Sequence, residues 1–122
     1  MSTIIDKPWG REIVLSENNL PYTAKFLEIS AGKRLSLQYH DQKTETLVLF
    51  SGQAKLIRGP SQHELKETEM VNDEGYTLQK MEVHRIEAVT DCRIFEASTP
   101  EIGTTYRLED DTGRTNETLN HS

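Results

Sequence analysis

An all-β fold is predicted by three observations. Short strand-like segments recur along the chain, clusters of Gly, Pro, Asn, Asp and Ser separate them, and no window holds apolar residues at helical spacing. The first candidate strand, residues 11–15, runs to a turn at 18–21, where Pro21 lacks a backbone donor. Residues 22–29 follow and end at the small-residue turn 30–32. Residues 34–40 and 46–50 flank a polar connection, and Ser51-Gly52 separates the latter from 53–58. A Gly-Pro-Ser turn at 59–61 precedes residues 64–70, and an Asn-Asp-Glu-Gly turn at 72–75 precedes 76–78. Residues 83–88 and 92–97 complete the set. Many short antiparallel strands at such intervals indicate a sandwich or jelly roll.

The chain's 122 residues make one domain, large enough to bury roughly two-thirds of its unfolded surface. A hydrophobic content of 34% suits a small barrel with a polar interior. No internal repeat is present. The domain is expected to span residues 1–114, with 115–122 a polar tail that frays. A net charge of −6 argues against nucleic acid or an anionic membrane as partner. No apolar stretch approaches the roughly 18 residues of a membrane helix, and the N-terminus lacks a signal peptide's charged and apolar regions. The single Cys92 excludes an internal disulfide, and its place on a strand makes it a packing residue. A cytoplasmic location is expected.

Four residues carry the chemistry: Gln38, His40, Glu45 and His84. Side chains alternate along a strand, so Gln38 and His40 share a face. Asp41 to Thr44 is long enough to turn the chain and bring Glu45 back over that face. Imidazole nitrogen with hard oxygen ligands suits a divalent ion such as zinc, manganese, iron or nickel. His63 and His121 stand in polar surroundings and are read as surface residues.

The same parity turns Arg34 and Ser36 inward and Leu35, Leu37 and Tyr39 outward. It places Leu47 and Leu49 inside with Glu45, and Val48 and Phe50 outside. His84, Ile86 and Ala88 then face in and Arg85 faces out, unless a bulge intervenes. Apolar residues on the outer face of two consecutive strands need a cover, so a homodimer is expected through Leu35, Leu37, Val48 and Phe50.

The run from Gly32 to Gly52 resembles the first motif of the cupin family: Gly, five residues, His-x-His, a few residues, Glu, six residues, Gly. Gln38 stands where the first His of that motif usually is. His84 matches the His of the second motif, with Gln79 and Met81 where the family carries Pro and Gly. Gln-x-His after Arg34-Leu-Ser-Leu37, together with Lys7-Pro-Trp-Gly10 and the block from Arg107 to Arg114, is similar to the cupin domain of phosphomannose isomerases. The resemblance spans roughly residues 7–114. It implies a jelly-roll (double-stranded β-helix) barrel, with Gln38, His40, Glu45 and His84 as metal ligands and Lys43 and Arg107 in catalytic positions. Trp9 is read as a barrel-end packing residue.

Aldose–ketose isomerisation needs a Lewis acid across the carbonyl and hydroxyl oxygens, a base, and positive charge where the enediolate forms. The ligand set can hold the first, and Lys43 or Arg107 can supply the third. The base stays open between Glu12 and a metal-activated water. A sugar phosphate is the expected partner, its phosphate met by Arg34 or Arg107. Two other readings stand beside the isomerase: a non-catalytic sugar-binding cupin, and another metal cupin such as an epimerase or dioxygenase.

Overall fold

Twelve β-strands are present in the computed structural model, which describes residues 2–120. They are β1 (Thr3–Lys7), β2 (Gly10–Val14), β3 (Thr23–Ile29), β4 (Leu37–His40), β5 (Glu45–Ser51) and β6 (Ala54–Gly59), then β7 (Lys66–Glu69), β8 (Gly75–Leu78), β9 (Val83–Ala88), β10 (Cys92–Ser98), β11 (Ile102–Glu109) and β12 (Glu117–Asn120). One sheet has the order β1-β2-β3-β10-β5-β8 and the other β12-β11-β4-β9-β6-β7. Distant strands pair within both sheets, β3 with β10 and β4 with β9 among them, and all these pairings are antiparallel. This is the jelly roll that the strand spacing predicts.

Alternation divides the interior into two levels. Along β3 the inward row reads Thr23, Lys25, Leu27, Ile29, and along β5 it reads Glu45, Leu47, Leu49. On β9 it reads His84, Ile86, Ala88, and on β10 Cys92, Ile94, Glu96, Ser98. Pairing sets these rows side by side: Glu96 opposes Lys25 and Leu47, and Ile94 opposes Leu27 and Leu49. One end of the barrel is therefore dry and the other polar. In the dry end Ile29, Leu49, Leu56, Ile86 and Ile94 are at most 1% exposed. Each such side chain contributes about 1.5–3 kcal/mol of burial. Trp9 and the Cys92 thiol pack into this core, and burial pushes that thiol up to about 11.

Parity fails on one segment. Arg34 makes only an isolated bridge to Glu87, and β4 starts at Leu37, opposite a register shift between Arg107 and Glu109. Leu35 therefore packs against the core rather than facing out, and Leu37 is buried. Arg34 does not face in: its guanidinium pairs with Asp111, 2.8 Å from Oδ2. Arg85 is buried too, with Nε donating to Leu35 O at 3.0 Å. Val48 and Phe50 do face out, beside Phe26 and Phe95.

The tail expected from residue 115 contains β12, which pairs with β11 from Ile102–Asn120 to Thr105–Glu117. Polar side chains join this ladder, for example Thr104 and Thr118 with hydroxyl oxygens 2.9 Å apart. Gly103 holds a φ of +84°, and a Cβ there would collide with Asp41 and Gln42. His121 lies outside the described residues.

The turn before β9 carries strain. Met81 has a φ of 68°, is 55% exposed, and donates its N–H to His40 O at 2.8 Å. A left-handed backbone costs a residue with a Cβ about 1 kcal/mol or more, and glycine essentially nothing. Met81→Gly should therefore stabilise the domain by about 0.5–1 kcal/mol, net of the glycine's freedom when unfolded. Thermal unfolding should show a midpoint about 2–5 °C higher. An unchanged or lower midpoint would contradict the strain.

Candidate metal centre

β4, β5 and β9 bring His40, Glu45 and His84 together at the polar end. One ligand atom from each lies within 4.8 Å of the others, and all three residues are buried. Gln38 is directly opposite His84 in the β4–β9 pairing, so the motif's amide and its distant imidazole meet as neighbours.

The ring nitrogens are set by their outer partners. His84 Nδ1 lies 2.9 Å from Glu82 O, which can only accept, so Nδ1 carries the proton. His84 Nε2 therefore points a lone pair inward, 3.2 Å from Glu45 Oε1. His40 engages Thr105 Oγ1 through Nδ1 at 2.8 Å, and its Nε2 is 3.9 Å from the same carboxylate oxygen. Burial, then the ammonium of Lys43, lowers the His40 imidazole to about 3, so it is neutral at physiological pH. Both Nε2 atoms are buried and lack a hydrogen-bond partner. Two lone pairs and a carboxylate thus converge, an arrangement that repels itself without a cation. Ligand atoms about 2.0–2.2 Å from one ion lie roughly 3–4 Å apart, so the set fits a divalent metal with modest tightening. Gln38 lines the same cavity, its Oε1 accepting from Ser36 Oγ at 2.7 Å.

Around this set lies a cavity of about 540 Å³, within the usual range for a small-molecule site. Lys43 is buried in its wall, 3.0 Å from Glu45 Oε2, 2.9 Å from Glu96 and 3.0 Å from Glu101. Burial alone would lower this ammonium, but the three carboxylates raise it well above the usual lysine range. Lys25 continues the chain of charges, 2.7 Å from Glu12 and 2.9 Å from Glu101, and Glu12 also meets Lys7 at 3.4 Å. Burial pushes Glu45 up, yet Lys43 and His84 outweigh it and leave the carboxylate well below its ordinary range. Glu12 is likewise lowered, since Lys25 overcomes its burial. Glu96 is different: burial dominates and raises it to about 7 despite Lys25 and Lys43.

Arg107 also lines the cavity, held from outside by Thr115 O at 2.6 Å and Glu117 at 3.1 Å. Arg34 does not reach it. Sequence reasoning passed over Lys25, Glu96, Glu101 and Thr105. Lys25 and Glu96 occupy inward positions in strictly alternating strands, so parity applied to β3 and β10 finds them. Glu101 stands between β10 and β11, where no periodicity reports direction.

A family described as mannose-6-phosphate isomerase C-terminal matches residues 1–117. No match was found among curated proteins. Among solved structures, the capsular polysaccharide assembling protein CapF from Staphylococcus aureus superposes with a TM-score of 0.68 at 14% identity, covering 98% of this chain and 32% of that one. KdgF from Halomonas sp. gives 0.64 at 11% identity over 80% and 86% of the two chains. An oxalate decarboxylase from Bacillus subtilis gives 0.66 at 13% identity over 80% and 27%. The chain thus spans about a third of CapF, and identities this low establish a shared fold only. No helix among the described residues is long and apolar enough to cross a membrane. With the motif residues gathered in one jelly-roll cavity and the family match running nearly end to end, the chain belongs to the mannose-6-phosphate isomerase C-terminal family, within the cupin superfamily.

Proposed function

We propose that this chain is a metal-dependent aldose–ketose isomerase of the mannose-6-phosphate isomerase type. The observation that carries the reading is the pair of buried, unpartnered Nε2 atoms of His40 and His84 beside Glu45, at the wall of a polar cavity. A divalent ion bound there, zinc, manganese, iron or nickel, would act as the Lewis acid that polarises the sugar's carbonyl. Gln38 is the further oxygen donor of the set. Lys43 fixes Glu45 and lends positive charge to that wall, and Arg107 does so from β11. Moving the proton between adjacent carbons falls to Glu96, whose raised carboxyl suits a base near neutral pH better than the lowered Glu12.

The sugar-binding module without catalysis is the second reading. It is favoured by the saturation of Lys43, whose ammonium already meets Glu45, Glu96 and Glu101. An ammonium so engaged has little left to offer an enediolate.

The metal is tested first. Dialysed protein should retain about one divalent transition ion per chain by elemental analysis, and His40→Ala should lose it. Wild-type protein that takes up none when offered zinc or manganese would overturn the site.

Catalysis is tested next. Glu96→Gln should keep the ion and lower kcat for hexose or hexose-phosphate isomerisation about 10²–10⁴-fold. Metal-loaded wild-type protein that binds a sugar and converts none transfers the weight to the binding module.

We also propose that two copies pair through the outer face of the first sheet. Ile4, Ile13, Phe26, Phe95 and Val48 stand in register across five strands, with Phe50 packed edge-on against Phe26. Ile4 and Phe50 are each 57% exposed. The bordering charges, Arg11, Glu28 and Arg93, are paired among themselves. The row therefore asks for apolar surface, which an identical row supplies. Light scattering should give twice the 14.0 kDa chain mass, and Phe50→Glu should halve it. A monomer at every concentration overturns the pairing.

A further inference from the structure

We infer that the cavity is built for an uncharged, polyhydroxylated sugar and carries no seat for a phosphate group. The inference rests on the reading of the cavity as a metal-dependent sugar site, and it departs from the sugar phosphate that the sequence leads one to expect.

A phosphate monoester carries about two negative charges at neutral pH and is normally met by cations with donors to spare. Among the described residues, five cations line the cavity: Lys7, Lys25, Lys43, Arg107 and Arg114. Every one is already answered by a carboxylate. Lys7 lies 3.4 Å from Glu12, Lys25 2.7 Å from Glu12, and Lys43 2.9 Å from Glu96. Arg107 lies 3.1 Å from Glu117, and Arg114 2.9 Å from Asp110. The two lysines nearest the histidines are the most deeply committed, each with three carboxylates within 3.8 Å. Arg34, the residue expected to seize the phosphate, lies outside the cavity and pairs with Asp111.

A dianion entering this site would have to pull an ammonium from its carboxylates and leave those carboxylates buried and unanswered. Hydroxyl groups make no such demand. They donate to carboxylate oxygens and accept from ammonium and guanidinium protons while the ion pairs stay intact. Ser36, Gln38 and Thr105 add neutral donors and acceptors to the same wall. One further count agrees. Six carboxylates, Glu12, Glu17, Glu45, Glu96, Glu101 and Glu117, face the five cations, so a bound divalent ion leaves a surplus of a single positive charge. That matches one developing negative charge on the sugar and leaves nothing for a phosphate besides.

The test is calorimetric titration of the zinc- or manganese-loaded protein with D-mannose, D-fructose and D-mannose 6-phosphate, with aldose–ketose conversion followed in parallel. Mannose or fructose should bind at least tenfold more tightly than mannose 6-phosphate. Glu117→Gln, which releases Arg107 from its carboxylate, should strengthen mannose 6-phosphate binding at least threefold and leave mannose unchanged. Equal or tighter binding of mannose 6-phosphate by the wild type overturns the inference, and its conversion in that case leaves the isomerase reading standing. Tighter mannose binding without conversion supports the inference while removing the isomerase reading. Failure of all three sugars to bind overturns both.

Discussion

The buried charge of Glu45 is the constraint around which the polar half of this barrel is arranged. A carboxylate only 4% exposed must be matched by a cation, and Lys43 supplies it. Lys43 is itself buried and calls in Glu96 and Glu101, which are shared in turn with Lys25 and, through it, Glu12. One charge thus recruits β2, β3, β5, β10 and the segment before β11 into a single network. Breaking a buried pair by removing one partner is strongly destabilising, by about 3–5 kcal/mol, because the other charge is left behind. The aliphatic half below it offsets the desolvation of these groups. The boundary is sharp since Glu96 and Ile94 are successive inward residues of one strand.

The metal set was legible because it sits on regular strands. His40, Glu45 and His84 are each placed by period-two counting, and the counts for β5 and β9 hold from end to end. Counting failed where the chain is not a strand. Between Arg34 and β4 the backbone makes one bridge only, so Leu35 turns toward the core and Arg34 away from the cavity. β11 and β12 went unread for a different reason. Their sequence, with Thr104, Thr105, Glu117 and Thr118, has no apolar rhythm, and they are held by partner strands and polar side chains. Sequence periodicity reports burial against a core, and these strands bury little. β1 is a similar case, since four of its five residues are exposed.

The departures from the family pattern have separable physical meanings. Gln38 exchanges an imidazole for an amide in the ligand row, while its backbone still pairs with His84. Met81 leaves the turn in the left-handed conformation that glycine would adopt freely, so the geometry presenting His84 persists at a local energetic cost. The first change bears on which ion the site takes and how strongly. The second bears on how stiffly the turn is held. Proteins sharing this jelly roll at 11–14% identity can therefore differ in chemistry through the polar level alone, with the dry level preserving the barrel.

Arg107 reaches the cavity wall from β11, yet what steadies its guanidinium comes from the far end of the chain: Thr115 O, the side chain of Glu117, and Asn116, which accepts the Arg107 backbone N–H. Glu117 and Leu119 line the cavity as well. The final strand is thus a hem stitched along the mouth of the barrel, and it belongs to the site rather than to its surroundings. Any fusion, tag or proteolytic nick placed immediately after Arg114 would leave the metal ligands in position while loosening the rim and its arginine. Such a change would alter what the cavity admits before it altered whether the barrel folds.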